Sequence, residues 1–247
     1  MTFEIIAHRG VHTEFAENSI RAFQHAIDLG ADAVELDVRL TRDLVPIVYH
    51  YFYLEESAGL GGTVFSYTWE ELQRAQALRG ASVPGCHIPL FRQVLETIGG
   101  RIGLEIEIKG PEPECVDIIA TVLQDYRHLW DSFELTSYEP ALLLAMQTRC
   151  PGVPTDLLLP RSESWMKPDV VTHLAIHRSR MTRARAVHLH PTQLSSQAVT
   201  AIRAAGVDVH AWDVNDETAL GLTMELGIPR VCTDRPAEAL TFRRRAA

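Results

Sequence analysis

The sequence predicts an α/β fold in which parallel strands, rolled into a single barrel, are wrapped by helices. Three observations carry this reading. The 247 residues are 46% hydrophobic and contain no low-complexity tract, enough apolar material for one large core. Short apolar runs alternate along the chain with longer stretches of helical period, the pattern of a parallel sheet covered by helices. Eight barrel-strand candidates can be read, the number that closes a (β/α)8 barrel.

The first strand falls at Ile5–His8 and the first helix at Asn18–Leu29. The second strand, Ala33–Val38, is followed too soon by another strand-like run, Pro46–His50. A parallel crossover takes about a dozen residues or more, so Val34–His50 reads as two strands joined by a short turn, the second outside the barrel count. From Tyr51 to Pro89 the chain is rich in glycine and aromatics and only partly helical, with Trp69 of "YTWEEL" placed at a helix start. Such an excursion at a strand's C-terminal end makes a lid or rim over a barrel's mouth. Thereafter helix Leu90–Ile98 leads to strand Ile102–Ile108, helix Glu114–Gln124 to strand Phe133–Ser137, and helix Pro140–Thr148 to strand Thr155–Leu159. A poorer helix over Trp165–Arg180 precedes strand Ala186–His190. Helix Gln193–Ala205, strand Asp208–Asp213, helix Glu217–Glu225 and strand Arg230–Thr233 complete the series. Gly30, Gly206 and Gly227 sit where glycine ends a helix at no steric cost. One domain over residues 1–247 is expected, with an inserted lid at about 51–89.

Composition narrows the function classes. Apolar runs such as Pro140–Gln147 fall far short of the roughly 20 residues that cross a bilayer, so no membrane span is expected. The start "MTFEIIAHRG" has neither a basic n-region nor a long apolar run, and a cytoplasmic location is the expectation. The net charge is −9 and the one basic run is Arg243–Arg245, which argues against nucleic acid as a partner. Cys86, Cys115, Cys150 and Cys232 are scattered without a CxxC pair and read as buried free thiols.

The chemistry begins in "VELDVRL", where Glu35 and Asp37 alternate on an apolar strand. Residues at i and i+2 share a face about 7 Å apart. The two acids either meet arginines in the helix layer or face the lumen, where they would invite a cation. In "LEIEIK", Glu105, Glu107 and Lys109 also share a face. Only Lys109 and Lys167 among the 23 Lys and Arg residues are lysine. A compact ammonium here suits a phosphate, or else an internal pair with Glu105 or Glu107. His8 closes the first strand and is followed by Arg9 and Gly10, and His50 closes the extra strand. Two histidines at one mouth beside a carboxylate site fit a general acid and a general base around a phosphoryl group. Arg9 is a phosphate clamp or a partner for Glu17, and His188 and His190 of "VHLHP" read as structural or rim residues.

"IIAHRG", "AENSIRAFQHAIDLGADAVELDVRLTRD" and "VPIVYH", with "LEIEIK", "LTSYEP", "VHAWDVN" and "VCTDRP" following in order, resemble the glycerophosphodiester phosphodiesterase family from about Phe3 to Ala239. The ordered set is specific, although single pieces are weak. The resemblance implies a TIM barrel and a divalent cation held by Glu35, Asp37 and Glu107. It also implies catalysis by His8 and His50, phosphate contacts from Arg9 and Lys109, and a substrate-lining Trp212. Oxygen donors suit Mg²⁺ or Ca²⁺. The implied reaction releases an alcohol and glycerol 3-phosphate from a small glycerophosphodiester. The implied family leaves open which histidine is acid or base, and whether water or a substrate hydroxyl attacks. Departures from the family pattern are Tyr51 for an acid, Leu44 for glycine, Ala16 for proline and Asp213 for threonine. Tyr51, Phe52 and Tyr53 either reshape the leaving-group pocket or pack the lid. They therefore keep open another head group, such as a lysophospholipid or sugar phosphodiester, or a non-catalytic phosphate-binding barrel.

Overall fold

A computed structural model describes residues 3–55, 60–79 and 88–246. The eight expected barrel strands are all present. They are β1 (Glu4–Ala7), β2 (Ala33–Leu40), β4 (Gly103–Ile108), β5 (Phe133–Ser137), β6 (Thr155–Leu158), β7 (Ala186–Leu189), β8 (Asp208–Ala211) and β9 (Arg230–Thr233). All are paired in parallel, and a β1–β2 pairing closes the ring into a TIM barrel. The extra strand, β3 (Pro46–Val48), runs antiparallel to the upper half of β2. It can do so because β2 is long: its first residues pair with β1, and Val38–Leu40 project past that pairing to meet β3. Leu44 turns this hairpin at φ 62°, the left-handed region that glycine fills without strain.

The helices follow the sequence pattern with shifted ends. Helix α1 (Ile20–Leu29) begins after Asn18, because Asn18 is left-handed at φ 55° and the Ser19 side chain caps the Ala22 amide. It stops at Gly30, φ 80°. Helix α2 (Trp69–Arg79) opens on the expected tryptophan, and α3 (Phe91–Ile98), α4 (Cys115–Asp125) and α5 (Pro140–Arg149) follow. The poorer pattern becomes α6 (Pro168–Thr182), which starts late because Pro168 is pre-set for a helix's first turn. The expected Gln193–Ala205 helix is divided. Pro191–Gln193 is a short 3-10 turn capped by His190, and α7 (Ser196–Ala204) begins after a second cap at Ser195. After α8 (Glu217–Glu225) comes α9 (Pro236–Ala246), which the sequence reading omitted.

Alternation along the strands sorts the side chains. From β2 and β4, Val34, Leu36, Val38, Ile106 and Ile108 pack outward with Phe23, Phe91, Leu95, Ile119 and Leu123. Val187, Leu189, Val209 and Val231 do the same with Ala175, Val199, Ile202, Leu220 and Leu240. The residues between them face the lumen, and many are charged: Glu35, Asp37, Glu105, Glu107, Glu134, Asp156, His188 and His210 are all buried. A barrel interior is ordinarily filled with branched apolar side chains. The β3 hairpin and the segment after it share a small core around Ile47, Tyr49, Leu54, Leu60, Val64, Leu72 and Ile88. Cys115, Cys150 and Cys232 are buried free thiols as expected, while Cys86 lies outside the described residues.

Candidate active site

The loop after β1 builds one wall. The His8 amide donates to Thr233 O, continuing the β1–β9 pairing, and the chain then turns through Arg9 (φ 52°) and Gly10 (φ 79°). A β-carbon on Gly10 would lie 2.6 Å from the Ala22 carbonyl carbon. The glycine thus lets this loop press against the first turn of α1. The Arg9 amide donates to Glu35 Oε2 (3.0 Å), while its side chain reaches Glu17 (2.9 Å) and Asp37 (3.3 Å). The pairing with Glu17 is therefore formed, and the guanidinium also stands beside the mouth carboxylate Asp37.

Parallel register sets the carboxylates. Asp37 lies opposite Glu107, and Glu35 opposite Glu105. Carboxylate oxygens of Glu35, Asp37 and Glu107 come within 4.8 Å of one another. They face the lumen rather than the helix layer. Lys109 Nζ contacts Glu107 (2.8 Å) and Asp37 (3.0 Å), so the internal ion pair weighed for this lysine is formed. Burial alone would raise the Asp37 carboxyl, but Lys109 and Arg9 together hold it below the usual carboxylate range. Glu35 goes the other way: burial, then the charges of Asp37 and Glu107, push it well above. Glu35 Oε1 is buried without a hydrogen-bond partner. An orphaned carboxylate oxygen beside two further carboxylates is a donor set that fits a hard divalent cation.

The two histidines have unlike surroundings. His8 Nδ1 is 2.6 Å from Asp234 Oδ1 and its Nε2 is 3.9 Å from Glu35. His50, at the end of the hairpin, has a buried Nδ1 without a partner. Burial, only partly offset by Asp37, lowers His50 to about 3. Its carbonyl accepts from Arg39 Nε (2.8 Å). Tyr51 stacks edge-on to the His50 ring at 4.6 Å, and its hydroxyl is 3.5 Å from Arg9 Nη1. Phe52 and Tyr53 instead turn outward, 47% and 57% exposed. Trp212 is half-buried, packs against the patch of Ile6, Ala33 and Cys232, and donates its indole N–H to Leu159 O.

Two residues here were missed by sequence reasoning, although both stood in quoted motifs. Asn18 donates to Asp37 Oδ2 (2.7 Å) and accepts from the Asp37 amide, fixing that carboxylate. Asp234 accepts from His8 and His12, and Asn215 holds its other oxygen at 2.7 Å. The "ENS" and "TDRP" pieces were the signal. His188 is buried and does not stand at the rim. It lies in the lumen with Glu134, Asp156 and His210, a second buried group able to hold a metal ion, and the half-buried His8, His12 and Asp234 form a third group. His190 is the rim residue, capping the turn before α7.

A TIM barrel with polar groups gathered at the C-terminal ends of its strands defines an enzyme of the type whose site lies at that mouth. More particularly, the model of the glycerophosphoryl diester phosphodiesterase family matches residues 8–238, and the chain belongs to that family. It is 28% identical over 259 residues to a glycerophosphodiester phosphodiesterase of Caldanaerobacter subterraneus, covering 98% of each chain. It is 27% identical over 248 residues to one of Bacillus altitudinis, covering 97% of this chain and 98% of that one. Its fold matches a phosphodiesterase of Oleispira antarctica solved in complex with the product sn-glycerol-3-phosphate, with TM-score 0.80 and 23% identity over 98% of this chain and 96% of that one. Among the described residues, no helix is long and apolar enough to cross a membrane.

Proposed function

We propose that the chain hydrolyses glycerophosphodiesters to an alcohol and glycerol 3-phosphate, with Glu35, Asp37 and Glu107 holding a Mg²⁺ or Ca²⁺ ion. The observation that carries this is the meeting, at one mouth, of three buried carboxylates with Arg9, Lys109, His8 and His50. The bound cation would neutralise phosphate charge and polarise the reacting oxygens. Arg9 and Lys109 contact the phosphate oxygens and stabilise the negative charge that builds on them. One histidine takes a proton from the attacking hydroxyl, of water or of the substrate, and the other gives a proton to the departing alcohol oxygen. Asp234 holds the His8 ring by its Nδ1, leaving Nε2 turned toward Glu35 and the mouth. Asn18 keeps Asp37 oriented through two hydrogen bonds. Trp212 lines the wall on which the glycerol lies.

The test is release of glycerol 3-phosphate from glycerophosphocholine and glycerophosphoethanolamine, with EDTA, Mg²⁺ and Ca²⁺ compared, for wild type, His8→Ala and Glu35→Ala. Metal-dependent release lost in both variants is expected. Release that survives EDTA, or Glu35→Ala, would overturn the metal assignment.

A further inference from the structure

The lower lumen holds a charged cluster that the proposed mouth chemistry does not use. Glu134 on β5, Asp156 on β6, His188 on β7 and His210 on β8 are 2%, 0%, 1% and 3% exposed. Four of their atoms point at one another. His188 Nε2 and His210 Nδ1 are 3.1 Å apart. Asp156 Oδ2 is 3.3 Å from each of them. Glu134 Oε1 is 3.4 Å from the first and 3.9 Å from the second. A tetrahedral ion with bonds of about 2.0–2.2 Å to nitrogen and oxygen has ligand–ligand edges of roughly 3.3–3.6 Å. These five edges, from 3.1 to 3.9 Å, bracket that range, and all four atoms lie within 4.8 Å of one another.

The surroundings suit an ion there. Glu134 Oε1 is buried with no hydrogen-bond partner, although its other oxygen is held by Arg185 and Arg230. The arginines thus fix the carboxylate while leaving one oxygen aimed into the cluster. Asp156 is anchored differently: Oδ1 accepts from the Ala186 amide (3.1 Å), and Oδ2, the oxygen that faces the histidines, also accepts from Arg185 Nη2 (2.6 Å), a second lone pair being left for the cluster. His188 Nδ1 also lacks a hydrogen-bond partner, and Glu105 Oε1 stands 3.5 Å from it. A carboxylate behind the far nitrogen of a ligating histidine is the usual outer partner at a metal. Three carboxylates, those of Glu105, Glu134 and Asp156, face two guanidiniums and the imidazole of His188, so the third positive charge is either a proton on that imidazole or a bound cation in its place. Two imidazoles and two carboxylates in tetrahedral array suit a borderline d-block ion such as Zn²⁺, whereas the all-oxygen mouth suits a hard ion.

We infer that Glu134, Asp156, His188 and His210 form a second metal site, closed and structural, which takes a Zn²⁺-class ion and ties β5 to β8 across the barrel floor. All four positions of the tetrahedron are filled by protein, so this ion fastens the fold and binds no substrate. The test uses full-length Glu35→Gln protein, whose mouth site is disabled, passed through urea unfolding and refolding in Co²⁺ so that burial does not block entry. One equivalent of Co²⁺ with the strong visible absorption of a tetrahedral ion, displaced by one equivalent of Zn²⁺, is expected. The band should be absent from Glu35→Gln/His188→Gln protein. A faint six-coordinate spectrum, or none, in the Glu35→Gln protein overturns the inference whether or not the double variant folds. A tetrahedral band that survives His188→Gln overturns the ligand assignment.

Discussion

Replacing Asp234 with asparagine changes almost no volume, and its effect can be worked out atom by atom. Asp234 Oδ1 faces His8 Nδ1 at 2.6 Å and His12 Nε2 at 3.0 Å, and Oδ2 accepts from Asn215 Nδ2 at 2.7 Å. Asn215 cannot turn to compensate. Its own Oδ1 already accepts from the Asp234 amide (2.8 Å) and from Thr233 Oγ1 (3.0 Å). An amide at position 234 must therefore either turn its NH₂ to the Asn215 donor and lose that hydrogen bond, or turn it to the histidine pair and force His8 into the tautomer whose Nδ1 accepts; in both cases His8 Nδ1–H loses its anionic acceptor. A hydrogen bond to a charged group contributes about 1.5–3 kcal/mol, or roughly 10- to 150-fold in rate if the loss falls on His8 in the transition state. About a third of the Asp234 side chain is exposed, at 32%, and solvent screening favours the lower end. Asp234→Asn should thus lower kcat for glycerol 3-phosphate release about tenfold with little change in KM. Circular dichroism and urea unfolding should show the fold retained. A kcat within about twofold of wild type would refute the orienting role given to Asp234.

Other substitutions probe the same wall and its neighbours. Gly10→Ala should destabilise the protein by about 2–4 kcal/mol in urea unfolding, from a left-handed backbone and the clash with Ala22 together; an unchanged midpoint would mean that the loop does not press on α1. Arg9→Gln would remove the guanidinium that stands beside Asp37 at the mouth and with it the proposed phosphate contact, raising KM roughly tenfold or more, the loss of a charged hydrogen bond of about 1.5–3 kcal/mol. An unchanged KM would remove Arg9 from the phosphate site. Burial pushes the thiols of Cys115 and Cys150 up to about 12 and about 11, and that of Cys232 well above its ordinary value. In a Cys86→Ser background, no thiol should react rapidly with a disulfide reagent at pH 8 until denaturant is added. A fast-reacting equivalent in the native protein would contradict the packing around one of the three.

The barrel was legible because its strands are short apolar runs separated by helical period, and each of the eight lies where the sequence places it. The mouth was legible for a related reason: "ELD" and "EIEIK" put acids at alternate strand positions, where apolar residues are the rule. What one sequence does not display is lateral register. His188 and His210 become neighbours because β7 and β8 pair at that level. Asp156 and Glu134 reach the same place from two further strands, so the floor cluster is spread over four separated segments with no local spacing to reveal it. Asp234 escaped for the same reason, since 226 residues separate it from His8. Helix α9 was hidden by its arginines, which gave the segment the look of a charged tail. In the fold, Arg243 and Arg245 are tied to Asp32 and Glu217.

The antiparallel strand β3 has a consequence for how the enzyme can be silenced. His50 is carried by the hairpin and the small core around Ile47, Tyr49 and Leu54, whereas His8 and the three carboxylates belong to the closed barrel. The proposed acid–base pair is therefore divided between two parts of unequal size. Regions with few buried contacts open at lower free energy than the global fold. Loosening the smaller part would withdraw one histidine while leaving the three mouth carboxylates and the barrel whole. Mild denaturant would then extinguish turnover before the far-ultraviolet signal of the barrel changes, and activity would return as soon as the hairpin re-seats on β2.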